Sequence, residues 1–163
     1  MIFLRLLHYN DTISQPKSGV YGAGAHTDYG LFTFLKNDEV PGLEIFYENQ
    51  WIRVNPLENC FIVNLGDMVS RLSNNKYKST LHRVVNDSGK ERYSIVYFFE
   101  PDFTAYIDPL LENGEKSQYD EKITAGEHLI RKFNLTYNYK ENEESNSKII
   151  INPALNTNNN NNL

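Results

Sequence analysis

A chain of 163 residues is one domain by length, large enough to bury about two-thirds of the surface its unfolded form exposes. Hydrophobic residues at 40% and aromatics at 13% suit a β-rich core, while a net charge of −5 without any basic run argues against nucleic acid or an anionic membrane as a main partner. Cys60 is the only cysteine, which excludes an intrachain disulfide and fits a reducing, cytoplasmic compartment.

Ile2 to Tyr9 reads as a buried strand. The apolar start, Met1 to Leu7, is interrupted by Arg5 and lacks a basic leader and a small-residue cleavage site, so it is expected to be strand and not signal peptide. No segment reaches the apolar length of a membrane span. Asn10 to Ser18 is a polar loop with Pro16, and Gly19 to Ala25 returns as a small-residue strand whose glycines allow close backbone packing. Leu31 to Leu35 is a further apolar run. Pro41-Gly42 turns the chain into Leu43 to Tyr47, and Glu48-Asn49-Gln50 turns it back into Trp51 to Val54, a hairpin with Trp51 as a packing anchor. Phe61 to Leu65 is strand. Asp67 is expected to cap a short helix, near 67–74, that carries Met68, Val69 and Leu72. Leu81 to Val85 and Arg92 to Phe99 are strands joined by the turn formers Asn86-Asp87-Ser88-Gly89. Thr124-Ala125-Gly126-Glu127 is a capping box that opens a helix near 125–137, with Leu129, Ile130 and Phe133 at core spacing and His128 on the surface. From 140 to 163 the chain turns polar and Asn-rich, so this tail is expected to be disordered, with Lys148-Ile149-Ile150-Ile151 as a stray strand. Many short strands with turn punctuation make a sandwich or a barrel.

The chemistry concentrates at Ala25-His26-Thr27-Asp28. An H-x-D sets two metal ligands at i and i+2, on one side of an extended chain. His82 from a distant strand completes a two-His, one-carboxylate face. That face leaves half of an octahedral metal's positions open, as a non-haem Fe(II) oxygenase needs. Zinc is the rival metal, although it usually takes more nitrogen or sulfur. Each residue also has a plain reading: a loop histidine, a turn-forming aspartate, a satisfied strand histidine. Arg92 and Ser94 put a guanidinium and a hydroxyl on one strand face, a fork suited to a carboxylate, or else an ordinary strand salt bridge.

From Leu4 to Tyr137 the chain resembles the catalytic domain of the 2-oxoglutarate- and Fe(II)-dependent dioxygenases of the isopenicillin N synthase type. Leu4-Arg5-Leu6-Leu7-His8-Tyr9 is similar to the family's opening strand, His26-Thr27-Asp28 to its first ligand pair, and Pro41-Gly42-Leu43-Glu44-Ile45-Phe46 to its hairpin. Asn64-Leu65-Gly66-Asp67, the run from Ser73 to Val84, Arg92-Tyr93-Ser94 and Phe99-Glu100-Pro101 follow in the family's order. The resemblance implies a mainly β, double-stranded β-helix (jelly roll) over residues 1–139. It implies Fe(II) held by His26, Asp28 and His82, and 2-oxoglutarate held by Arg92 and Ser94 with the Tyr9 hydroxyl as third partner. Dioxygen is the other co-substrate and ascorbate an accessory reductant. The implied reaction oxidises a small organic molecule and releases succinate and carbon dioxide.

Two departures stand out. The family's Asn-Tyr-Tyr-Pro is Leu7-His8-Tyr9-Asn10 here, so only the tyrosine is kept. The helical N-terminal module of the relatives has no counterpart before the first core strand. The alternative expectation is therefore a truncated, inactive remnant that at most binds metal or 2-oxoglutarate. Uncovered apolar barrel surface is expected as well, with self-association or a partner over it. Strand parity sets Arg5 on the Tyr9 face and His8 off it, about 13 Å separating Arg5 from Tyr9. Arg5 is thus a candidate ligand for an anionic or polyhydroxylated substrate, or else the partner of an acidic neighbour such as Glu44 or Glu100.

Overall fold

Eight strands and two α-helices run in the order the alternation and turn signals predict in the computed structural model, which describes residues 2–137. The polar tail and its Lys148–Ile151 run lie outside the described residues. One antiparallel sheet joins β1 (Ile2–Tyr9), β8 (Arg92–Phe99), β3 (Phe32–Asn37) and β6 (Ile62–Leu65) in that spatial order. The other joins β2 (Ala23–His26), β7 (His82–Val84), β4 (Leu43–Tyr47) and β5 (Gln50–Arg53). Residues from both sheets line one cavity between them, the arrangement of a jelly roll.

The register of β8 sorts its side chains cleanly. Arg92, Ser94 and Val96 point inward and are buried, and Tyr9, Leu7 and Arg5 of β1 stand opposite them. Outward come Tyr93, Ile95 and Phe99 of β8, Ile2, Leu4 and Leu6 of β1, Phe34 of β3 and Val63 of β6, all exposed, with Leu6 at 75%. This outer face is apolar across all its strands. His8 sits there too, stacked on Tyr93 at 4.6 Å and away from the cavity, as parity requires.

The β4–β5 hairpin closes through Glu48 and Asn49, both with positive φ, the backbone a two-residue hairpin turn needs. Trp51 packs on Phe46, and the Arg83 guanidinium lies 4.0 Å from its ring, which makes it an anchor as expected. The segment 19–25 is strand only from Ala23 onward. Gly22 before it is pressed against Tyr9 and Val84, where an added Cβ would meet both at 3.1 Å.

α1 (Asp67–Leu72) corrects one expectation. Gly66, in extended conformation, is the N-cap, and Asp67 is the first helical residue. No side-chain cap is needed, because the Asp67 and Met68 amides donate to the carbonyls of Asp28 and Gly30 at 2.8 and 3.0 Å. A Cβ on Gly66 would lie 2.2 Å from the Gly30 oxygen, so the two segments could not approach with any larger residue there.

α2 (Ala125–Tyr137) does open on the capping box: Glu127 accepts from the Thr124 amide at 2.7 Å, and its own amide donates to the Thr124 hydroxyl at 3.2 Å. Its buried face differs from expectation. Ala125 and Leu129 join Met68, Ile107 and Ile123 in a core under α1, while Ile130 is 55% exposed and Phe133, 38% exposed, meets Tyr29 edge-on. His128 is half-buried, not on the surface, with Nε2 3.1 Å from the Tyr29 carbonyl, and burial lowers its pKa. The helix is rotated by the loop it covers, a tertiary contact that spacing alone does not encode.

Candidate metal centre

His26 ends β2 and His82 begins β7, and the two are direct partners in the antiparallel register. Their rings lie 4.3 Å apart. A register shift between Ala23 and His26 puts one extra residue into β2, a bulge of the kind that re-aims a side chain beside a site. Asp28 follows on the short loop that the first turn of α1 grips through its carbonyl. His26, Asp28 and His82 each bring one ligand atom to within 4.8 Å of the others. Asp28 is buried at 8% exposure, His82 is half-buried, and His26 opens to the cavity. His82 Nε2 stands 3.8 Å from Asp28 Oδ1.

Both imidazoles are held in one tautomer. His26 Nδ1 lies 2.7 Å from the Gly24 carbonyl, and His82 Nδ1 lies 2.9 Å from the Thr80 carbonyl. A carbonyl can only accept, so Nδ1 carries a proton in each ring and Nε2 is the nitrogen turned to a metal. Burial lowers the His26 pKa, His82 adds to this, and the Gly24 carbonyl and Asp28 pull the other way. Burial thus favours the neutral ring in His26, the form that binds a metal. Two imidazole nitrogens and one carboxylate oxygen on one side fit a metal with open positions, and the donor set fits Fe(II).

The Arg92 guanidinium is 1% exposed and only partly committed. Its Nε donates to the Val40 carbonyl at 3.2 Å and its Nη2 to Asn37 Oδ1 at 2.6 Å. Ser94 Oγ donates to the same Asn37 oxygen at 2.9 Å. Nη1 is buried and has no hydrogen-bond partner among the described residues. A buried charged donor left unpaired is costly, so this nitrogen marks where an acceptor belongs. The guanidinium carbon also lies 5.0 Å from the centre of the Tyr9 ring; burial raises the pKa of that phenol and the Arg92 charge opposes the rise.

One cavity of about 960 Å³ is lined by all seven residues singled out in the sequence: Arg5, Tyr9, His26, Asp28, His82, Arg92 and Ser94. Arg5 packs over Phe98, at 5.5 Å from the ring centre, and its head is exposed. The candidate partner Glu44 is engaged elsewhere, with Arg53 and Arg83. Glu100 lies buried against Gly30, its pKa pushed to about 7 by burial, with the Asp28 charge adding to the rise.

Two further residues were not assigned a role from the sequence. Asn37 faces Ser94 across the β3–β8 register and organises the fork. Asn64 on β6 donates to Asp28 Oδ2 at 2.6 Å and touches His82 Nδ1 at 3.3 Å. Asn64 opens the Asn64-Leu65-Gly66-Asp67 run, but an amide carries no ligand signature of its own.

Residues 3–101 match the family described as the 2OG-Fe(II) oxygenase superfamily. The 2-oxoglutarate-dependent dioxygenase citB of Monascus ruber is 38% identical over 141 residues, covering 84% of this chain and 43% of that protein. A full-length Neurospora crassa protein, solved in complex with alpha-KG, superposes with a TM-score of 0.75 at 38% identity, over 83% of this chain and 45% of that one. JOX2, solved with 2OG, Fe and JA, superposes with a TM-score of 0.70 at 33% identity, over 80% and 39%. The chain thus spans less than half the length of these relatives. With the two-sheet fold and the His-Asp-His cluster, these matches establish that the chain belongs to the 2OG-Fe(II) oxygenase superfamily.

Proposed function

We propose that residues 1–139 form the catalytic core of an Fe(II)- and 2-oxoglutarate-dependent oxygenase that oxidises a small organic molecule. The observation that carries this reading is the common cavity, which holds the His26–Asp28–His82 cluster at one place and the unpaired Arg92 Nη1 at another. His26, Asp28 and His82 would hold the metal, and Arg92 Nη1 with the Ser94 and Tyr9 hydroxyls would hold the far carboxylate of 2-oxoglutarate. When bound, iron and 2-oxoglutarate together supply dioxygen activation coupled to decarboxylation, with succinate and carbon dioxide as products. The protein's own part is positioning and exclusion. Ser94 turns its proton from Asn37 to the incoming carboxylate. Leu43, Val84 and Val96 give the cavity a dry apolar wall. Arg5 binds an anionic or polyhydroxylated substrate, supported by its free approach to the same cavity.

The exposed, unpaired Cys60 supports a reducing, cytoplasmic setting. The exposed outer face of the β1–β8–β3–β6 sheet supports self-association of the isolated chain. No helix among the described residues is long and apolar enough to cross a membrane. The test of the activity is succinate formation from 2-oxoglutarate by purified, iron-loaded protein in air. Binding of iron and 2-oxoglutarate without succinate would favour the inactive binding module, and no iron binding would sink the reading.

A further inference from the structure

The metal-ligand candidates all come from β2, β7 and the loop after β2, that is, from one side of the cavity. Asn64 reaches them from the opposite sheet, on β6, where it pairs with Thr33. Its amide has a determined orientation. An atom 2.6 Å from Asp28 Oδ2 must be a donor, since an amide oxygen at that distance would be repelled by the carboxylate. Nδ2 therefore faces Asp28. The 3.3 Å approach to His82 Nδ1 is then a packing contact, because the Nδ1 proton is already given to the Thr80 carbonyl.

We propose that Asn64 is a positioning residue that holds Asp28 as a one-oxygen ligand. Oδ2 is taken by the Asn64 amide, and Oδ1 is the oxygen turned toward His82 Nε2. The consequence for the reaction is a matter of counting. Three protein donors, two oxygens of 2-oxoglutarate and one dioxygen would fill the positions of an octahedral metal. A carboxylate free to bind through both oxygens would occupy the place that dioxygen or the co-substrate needs. Asn64 keeps that place open, and it abuts the His82 ring so that carboxylate and imidazole are set against one another. The proposal rests on the metal reading above and concerns how the ligand set is kept incomplete.

The test replaces Asn64 by Leu, which keeps the bulk and removes the donor. The wild-type chain and Asn64→Leu are titrated anaerobically with Co(II), and affinity and visible spectrum are read together. Loss of a hydrogen-bonding partner behind a ligand weakens metal binding by about 10- to 100-fold, and the spectrum should change as the carboxylate turns. A merely structural asparagine would lower the melting temperature and leave the cobalt spectrum unmoved. Affinity within about twofold of wild type with an identical spectrum overturns the proposal. If the variant does not fold, the wild type decides: in a crystal loaded with Mn(II), Asp28 should bind through one oxygen with the other on Asn64. Two-oxygen binding overturns it. Wild type that binds neither metal overturns this and the oxygenase reading together, whereas equally tight binding with the same spectrum in both proteins overturns this proposal alone.

Discussion

Replacing Arg92 by Met removes a buried cation that lines the cavity, and the size of the effect follows from how the guanidinium is already used. Nε and Nη2 are committed to Val40 and Asn37, so Nη1 is the nitrogen left for a ligand carboxylate. A charge-assisted hydrogen bond contributes about 1.5–3 kcal/mol. At about 1.4 kcal/mol per decade, the 2-oxoglutarate Kd should rise by about 10- to 150-fold. The assay is anaerobic titration of the metal-loaded protein with 2-oxoglutarate, paired with pyruvate. Pyruvate has the same keto acid head but no far carboxylate, so its affinity should not change. Metal affinity, measured alongside, should hold too, which separates a lost contact from a damaged fold. Binding of 2-oxoglutarate by the variant as tight as by wild type, or a parallel weakening of pyruvate, would refute this role of Arg92.

Arg5→Met should lower substrate-stimulated succinate formation while uncoupled 2-oxoglutarate turnover persists; equal loss of both would leave Arg5 a structural residue. Glu100 is pushed to about 7 from an ordinary 4.5, so between these pH values the folded protein holds a proton that the unfolded chain has released. Its contribution to stability is complete below the lower value and is lost as pH rises through the upper one. The melting-temperature advantage of Glu100→Gln over wild type should therefore widen from about pH 5 to about pH 8, and a constant difference would refute the assignment. Sedimentation velocity should find the isolated chain associated, and Leu4→Lys with Ile95→Lys on the outer sheet face should reduce that association; a concentrated wild-type monomer would count against it.

The parts of the molecule legible in the sequence are those where local rules and tertiary structure agree. Strand parity set Arg92, Ser94, Tyr9 and Arg5 on one face because β1 and β8 pair without a slip over their whole length. The His26–x–Asp28 spacing was informative because the chain there is extended or nearly so. Elsewhere the deciding contact came from far along the chain. Asp67 looked like a cap, but the Asp28 loop supplies the acceptors and frees Gly66 for the role. Ile130 looked like core, yet Tyr29 and the loop beside it claim the neighbouring face, with His128, and leave Ile130 to solvent. Asn37 and Asn64 were silent for a chemical reason. An amide can be a turn former, a surface residue or a buried clamp, and only the acceptor in front of it tells which.

The direct pairing of His26 with His82 also bears on how the protein assembles. β2 is an edge strand, short and bulged, and few ladder bonds hold it in register. A slip of one residue would turn the histidine of the slipped strand to the opposite face. A metal bound there would accept only the register in which both rings meet, and would so act as a check on strand alignment. Hydrogen exchange should report this: removing the metal should loosen the β2–β7 edge while β1, β8 and β3 stay protected, so that loss of iron is felt first as loss of alignment.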